Sequence, residues 1–494
     1  MISKIVFEDT LVLYWDRSEK FKKGYRYCVQ FGGSIAYTQK THFTIDGLVA
    51  RQKIKVAVSL VDEKNNIIKE YEKETIYLPW AKKRLDVSKA PYFAVGDGKT
   101  LNTQALQKAF DDCKADEAVY IPQGVFLTGA LNMHGDSEVY VEKGGVLQGT
   151  ANPEDYLPKI RSRYEGWERD CYRSLINIGE IDAYGGYTTK NIIIRGKGAI
   201  LGGGRPLMES SILRETGRDR VLEAAFDDVD KNGWRSRGRL LNINNTQGVV
   251  IHGLELGMGA SWNIHMVYCD NVVTADCYIH SENVNNGDGW NPDSSTNCTI
   301  FNCDFNTRDD MIAIKSGKNP EGNIVNRPSK NIRVFDCRCT HGHGLAVGSE
   351  ISGGVDGVFV WDCEMEKSRC GMEIKARSSR GGYVKNVCVY NSSFSILALR
   401  SVEFNADGET PAPYPPVLGS FYFEDIVLTG VCLKHNEETW DESAVMVEGF
   451  KEPGYEVKNV TLKNICIKNR PTKTQHQINI QFAKGVMIEN ITSQ

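Results

Sequence analysis

The sequence predicts an all-β chain in which a small β-sandwich precedes a long parallel β-helix. Three observations predict it. First, one phrase recurs through most of the chain, opened by Asn or Gly: its starts at Gly248, Asn271, Asn297, Asn331, Gly357 and Asn386 lie 23, 26, 34, 26 and 29 residues apart. An imperfect period of this size marks a solenoid. Second, the phrases alternate apolar and polar residues, as in NCTIFNCDFN and KNIRVFDCRCT, the period-two pattern of strands. Third, the front of the chain carries short alternating runs of a different kind, broken by Gly, Asp and Asn, as in a sandwich.

These front runs are TLVLYWDR, YRYCVQFGG, THFTIDGL, KIKVAVSLVD and KEYEKETIYL. They assign residues 1–86 to the sandwich, with Trp15 as a core aromatic and Tyr25 and Tyr27 on a strand. No chemistry is visible there. Residues 87–494 form the second domain. Its opening, LNTQALQKAFDDC, spaces apolar residues as an amphipathic helix with Asn102 or Thr103 as N-cap, placed to cover the open end of the solenoid. Each later phrase then makes one coil, with Ile, Val, Cys and Phe inward. Two stretches break the period: the Arg-rich 204–238, and Asp407–Gly419 with four prolines. Long loops of this kind often build a binding face.

Composition narrows the function. At 494 residues the chain exceeds one ordinary core. A net charge of -4 argues against a globally basic nucleic-acid binder. No apolar run is long enough to span a membrane. The opening MISKIVFEDTLVLYWDRSEK lacks a signal-peptide pattern, so a cytoplasmic setting is expected. The 14 cysteines show no CxxC zinc pairing. Cys269, Cys277, Cys303, Cys337 and Cys363 read as reduced core thiols.

The chemistry concentrates in NPDSSTNCTIFNCDFNTRDDMIAIK, residues 291–315. Asp293 precedes the adjacent pair Asp309-Asp310, and Lys315, a substrate-binding candidate, follows. His343 sits in Gly342-His343-Gly344 and Lys375 in Glu373-Ile374-Lys375. Adjacent carboxylates cannot both ionise cheaply, so one is pushed towards a raised pKa and can serve as an acid. On a straight strand, neighbours face opposite ways, which would bury one of the pair, so a bend or bulge is expected there. Coils stack about 5 Å apart, so Asp293, Asp309/Asp310, His343 and Lys375, on four successive units, are expected to meet on one face.

From about Pro91 onward the chain resembles the polygalacturonases of glycoside hydrolase family 28. The family's Asn-Thr-Asp motif is matched to Asn291-Pro292-Asp293, its Asp-Asp to Asp309-Asp310 and its Gly-His-Gly to Gly342-His343-Gly344. The front domain resembles a fibronectin type III module, and with the VGDGKT and GSEISGG segments it is similar to the bacterial, exo-acting branch. The resemblance implies a right-handed parallel β-helix that cleaves an acidic, galacturonate-containing oligosaccharide with inversion, without metal or other cofactor. It implies Asp309 as general acid, Asp293 and Asp310 as bases that activate water, His343 as support for the acid, and Lys375 as a carboxylate binder. The family's Arg-Ile-Lys reads Glu373-Ile374-Lys375 here. A Glu would repel a galacturonate and could instead accept sugar hydroxyls, so either the leaving-group site takes a neutral sugar such as rhamnose, or a nearby Arg, Arg377 or Arg380, substitutes. Trp262, if exposed, is a sugar-stacking candidate, and Glu350 a substrate contact. His265, His341 and Trp290 read as structural.

Three further readings compete: a galacturonohydrolase for rhamnogalacturonan fragments, a non-catalytic carbohydrate-binding solenoid, and a pectate lyase. Three carboxylates with a histidine disfavour the binding module, which needs none of them.

Overall fold

The computed structural model describes residues 2–217, 234–402, 410–433, 439–440, 443–468 and 477–493. The chain divides into two compact units, Met1–Arg84 and Leu85–Gln494.

The first unit pairs a three-stranded sheet (Ile2–Val6, Leu11–Trp15, His42–Ile45) with a four-stranded one (Ser34–Thr38, Arg26–Phe31, Lys53–Val61, Ile67–Tyr77). All its pairings are antiparallel. Alternation explains the core: Ile54, Val56, Val58 and Leu60 are buried, whereas Lys53 and Lys55 are exposed. Trp15 and Tyr27 meet edge to face at the centre. Tyr25 lies one residue outside its strand. The strand Ser34–Thr38 was hidden in the sequence because Gly32 and Gly33, both at positive φ, turn the chain within two residues.

The second unit is a parallel β-helix. Helix Thr103–Asp112 buries Leu106, Ala109 and Phe110 against the end of the core. Asn102 occupies its N-cap but makes no side-chain cap bond; its amide instead bonds both backbone groups of Val95. Beyond it, strands such as Asp270–Ala275, Thr296–Phe301, Ser329–Phe335 and Val355–Trp361 stack in parallel. An 11-stranded parallel sheet forms another face among the described residues. Its members include Ile264–Val267, Trp290–Asp293, Ile312–Ile314, Gly344–Gly348, Gly371–Ala376 and Leu397–Ser401.

The repeat has a backbone cause. Asn271, Asn297, Asn331 and Asn386 have φ of 53 to 58°, and Gly248 and Gly357 have φ of 76 and 82°. Each corner of this kind turns through the left-handed region, which only Gly and Asn enter readily. The Asn side chains then bond up the stack: Asn297 to Asp270 (2.7 Å) and Asn331 to Asn297 (2.5 Å). Inside, Cys277, Cys303, Cys337 and Cys363 are buried thiols on successive coils, and on the opposite face of the strands the buried rings of Phe301, Phe335 and Trp361 stack at 4.8 and 4.4 Å.

Of the two interruptions, the first opens with helix Gly204–Thr216, and residues 218–233 and 407–409 lie outside the described residues. An element not foreseen is the antiparallel hairpin Ile160–Tyr164 with Trp167–Cys171.

Asn331→Ala removes a left-handed corner and a ladder bond together. It should cost about 1–2 kcal/mol of stability for the backbone alone, read as a lower thermal midpoint, and Asn331→Gly should lower the midpoint less. Equal midpoints for the two variants would contradict the corner argument.

Candidate active site

Strand register builds the site. Ile264, Trp290, Ile312 and Leu345 stand on one another. Two residues earlier on each coil, the same register aligns Trp262, Asp288, Asp310 and His343. Backbone bonds hold the column: Gly289 N–H donates to the Asp310 carbonyl (2.9 Å) and His343 N–H to that of Asp309 (3.0 Å). Asp309 and Asp310 occupy the corner between strands Asp304–Thr307 and Ile312–Ile314, so the pair sits at a bend and not on a straight strand. A second column runs alongside. Asp293 bridges to Lys315, and Gly348, Lys375 and Arg400 follow in register.

The carboxylate that completes the cluster is Asp288. Its Oδ2 lies 3.2 Å from Lys315 Nζ, and the charges of Asp309 and Asp310 act on it directly. Asp293 lies elsewhere. It is fully buried, with Oδ1 accepting from Arg163 Nη1 (2.8 Å) and the Gly317 amide (3.2 Å) and Oδ2 beside His265 Nε2 (3.2 Å). Its lone pairs are taken up by fixed donors and it has no solvent exposure, so the geometry gives no path from it to a water or a sugar. The sequence held a signal for Asp288. Asn286-Gly287-Asp288 is a second Asn-x-Asp, five residues before Asn291-Pro292-Asp293, and only the register distinguishes the two.

The charges interlock. Lys375 Nζ donates to both oxygens of Asp310 (2.9 and 3.1 Å). His343 Nδ1 lies 3.0 Å from Asp309 Oδ1 and 3.7 Å from Asp310 Oδ1. Burial works against the imidazolium, but Asp309 and then Asp310 outweigh it and raise the His343 pKa. Burial likewise pushes Asp309 up, but His343 overcomes it and holds that carboxyl below its ordinary range. Asp310 is raised by burial and by Asp309, against Lys375. Asp288 is raised well above the usual carboxylate value by burial, against Lys315 and with Asp309 and Asp310 adding. Three carboxylates this close share at least one proton at mild pH. Asp309 is the open member, its side chain 27 % exposed against 8 % for Asp310.

Asp309, Asp310 and His343 offer atoms within 4.8 Å of one another, close enough to share a cation. The Lys375 ammonium and the imidazole already neutralise this pair, so a metal would compete with both.

Other expected residues fall differently. Trp262 is buried, 1 % exposed, and stacks on Tyr164 at 4.9 Å; it cannot receive a sugar, and instead Lys315 Nζ sits 4.6 Å from its ring. Glu350 is buried 3.5 Å from Lys315 and held below its ordinary pKa against burial, by Lys315 and then Lys318. Arg380 is wholly buried, donating to Asn319 Oδ1 (2.7 Å) and the Ser349 carbonyl (3.2 Å), so it is unavailable to replace a substrate-binding Arg. Arg377 is half-buried just past the strand Gly371–Ala376, on no rung of the column. Glu373 is not an open acceptor: Arg400 Nη2 bonds its Oε1 and Lys375 Nζ lies 3.9 Å from its Oε2. Arg400, on the next coil, is the cation that adjacency in sequence concealed. His265 is buried and held down to about 4 by that burial, against Asp293. His341 bonds the Thr307 carbonyl at 2.9 Å, and Trp290 is buried beneath the column.

Residues 174–406 match the model of glycosyl hydrolases family 28. The chain is 28% identical over 384 residues to an exo-poly-alpha-D-galacturonosidase of Dickeya chrysanthemi, the match covering 72% of this chain and 63% of that one. It is 28% identical to a probable polygalacturonase of Vitis vinifera over 69% of this chain and 68% of that one. Its fold is similar to the family 28 exopolygalacturonase of Yersinia enterocolitica (TM-score 0.77, 19% identity, 100% of this chain and 98% of that one). An exopolygalacturonase of Thermotoga maritima is also similar (TM-score 0.70, 24% identity, 83% and 92%).

The two Asn-x-Asp carboxylates separate by experiment. Asp293→Asn strands the buried Arg163 charge and should cost about 3–5 kcal/mol of stability, read as a lower thermal midpoint. Asp288→Asn leaves Lys315 its second partner Glu350, so it should lower the midpoint less than Asp293→Asn while cutting kcat by two or more orders of magnitude. The reverse pattern would restore Asp293 to the site.

Proposed function

We propose that this chain, whose residues 174–406 match glycosyl hydrolases family 28, hydrolyses α-1,4-galacturonosidic bonds in short pectin-derived oligogalacturonides and releases sugar from one end. The observation that carries the reading is the stacked set Asp288, Asp310 and His343, with the open Asp309 beside them and Lys375 on Asp310.

Asp309 is the general acid, because it alone of the three carboxylates keeps an exposed face. In the free protein the proton it shares with His343 rests on the imidazole. A sugar seated over Asp309 removes the water that stabilises its charge, which shifts that proton towards the carboxyl. The bond from the anomeric carbon to the leaving oxygen then breaks as Asp309 protonates that oxygen. A water adds to the anomeric carbon and gives its proton to the base pair Asp310 and Asp288. Asp309 and Asp310 are closer than the roughly 6.5–9.5 Å that lets a water fit between acid and base in most inverting enzymes. The water therefore enters from the side, between Asp310 and Asp288, whose coils lie about 4.8 Å apart.

The hairpin 160–171 supports exo action. Tyr164 packs on Trp262 beside Lys315, Arg163 locks onto Asp293, and Lys318 N–H donates to the Gly166 carbonyl (2.9 Å). Held at these points, the hairpin is our candidate for a wall that limits the site to a chain end on the Asp288 side. Lys375 is the candidate for a uronate carboxylate on the other side. A neutral leaving sugar was favoured only by an unpaired Glu373, and Glu373 is paired with Arg400, so galacturonate is the better substrate than a rhamnogalacturonan fragment. We read the first unit as fibronectin type III-like.

Two measurements test this. On defined oligogalacturonides the product should be monomer from one end, with the inverted anomer seen first by NMR; mixed oligomers would exclude exo action. Because His343 holds its proton to a pH above its ordinary 6.5, the alkaline limb of kcat should lie above that value. His343→Gln should move the limb to lower pH and reduce kcat by about 10²-fold. An unmoved limb would remove His343 from the acid couple.

A further inference from the structure

The first unit carries 16 Lys and Arg against 10 Asp and Glu over residues 1–84, a formal charge of +6 in a chain whose total is -4. The remainder is therefore acidic, at -10. Strand pairing shows where part of this basic charge gathers. In the four-stranded sheet, Ile54, Val56, Val58 and Leu60 point into the core, so Lys53 and Lys55 point to the opposite face. Register places Tyr77 against Lys53, Lys73 against Ala57, and Tyr37 against Cys28, all on that outer face. Arg26 joins them, its guanidinium 4.2 Å from the Tyr37 ring, and Lys53 Nζ lies 5.2 Å from the Tyr77 ring. Tyr37 and Tyr77 are 45% and 65% exposed. Among the paired positions of this face the one carboxylate is Glu70, 3.5 Å from Lys73.

Four cations and two open aromatic rings on one flat face match a particular chemistry. A galacturonan presents one carboxylate per ring, and each ring has an apolar face that stacks on tyrosine. Alternate residues of a strand lie about 6.6 Å apart and neighbouring strands about 4.8 Å apart, so Lys53, Lys55 and Lys73 space their charges at intervals of this order, with Arg26 towards the other end of the same face. The acidic remainder of the chain opposes the approach of a polyanion, and this face attracts it. We propose that the outer sheet face of the first unit binds galacturonate chains and holds them to the enzyme independently of the catalytic groove. This rests on the galacturonan reading of the solenoid.

The test uses the full chain. In an Asp309→Asn background, binding to long polygalacturonate is measured for the parent, for the triple charge reversal Lys53→Glu, Lys55→Glu, Lys73→Glu, and for Tyr77→Ala. In the active background, the same variants are assayed on trigalacturonate. The triple variant should bind the polymer at least tenfold more weakly, and Tyr77→Ala several-fold more weakly, with trimer turnover within twofold of the parent. Parent binding should weaken as salt shortens the Debye length below about 8 Å. Unchanged polymer binding in both variants would overturn the proposal, as would equal parent binding to fully methyl-esterified pectin or to RNA. A parent that binds polymer but does not turn over trigalacturonate would instead count against the catalytic reading.

Discussion

The solenoid depends on one constraint: each coil must repeat the register of the one before it. Parallel strands bond to neighbours at a fixed spacing, so any position is copied up the stack. The left-handed Asn and Gly corners enforce this. They turn the chain at the same point on every coil, and the Asn amides then bond to their counterparts. From that register follow the ladder of buried thiols, the stacked rings of Phe301, Phe335 and Trp361, and the column of Asp288, Asp310 and His343.

Register also explains the electrostatics. Stacking charged residues at coil spacing is costly where like meets like, as Asp288 meets Asp310, and the site offsets that cost by setting cations between the carboxylates. Glu350, Lys315 and Asp288 form one such chain, and Asp309, His343, Asp310, Lys375, Glu373 and Arg400 form another. Because these groups are largely removed from water, each carboxylate depends on a specific cation, and its protonation responds to what covers it. That responsiveness is useful in an acid that must gain a proton when substrate arrives. The Arg163–Asp293 pair, wholly buried with no exposed member, serves a different end. It fixes a hairpin contributed 130 residues earlier in the chain against the coil that carries the site.

How much of this could be read in advance depended on whether the signal was local. The β-helix was legible because every coil repeats the same corner residues and the same alternation. The bend at Asp309-Asp310 was legible because two adjacent carboxylates on a straight strand would bury one of them. The choice between Asp288 and Asp293 was not, since both end an Asn-x-Asp and they lie five residues apart. Trp262 read as an exposed stacking residue, because nothing local reveals Tyr164 lying on its face. Glu373 read as a free anion for the same reason: its partner Arg400 is 27 residues away, one coil on.

The sequence alone therefore determined the class of fold and the presence of an acid, a histidine and a lysine on successive coils, because periodicity and turn chemistry are written in neighbouring residues. Which carboxylate joins the site, which is consumed by an arginine, and which cation neutralises Glu373 were decided only by the tertiary structure. Those outcomes depend on contacts between coils and with the hairpin, and the strength of a charge pair depends on distance and burial, neither of which spacing along the chain contains.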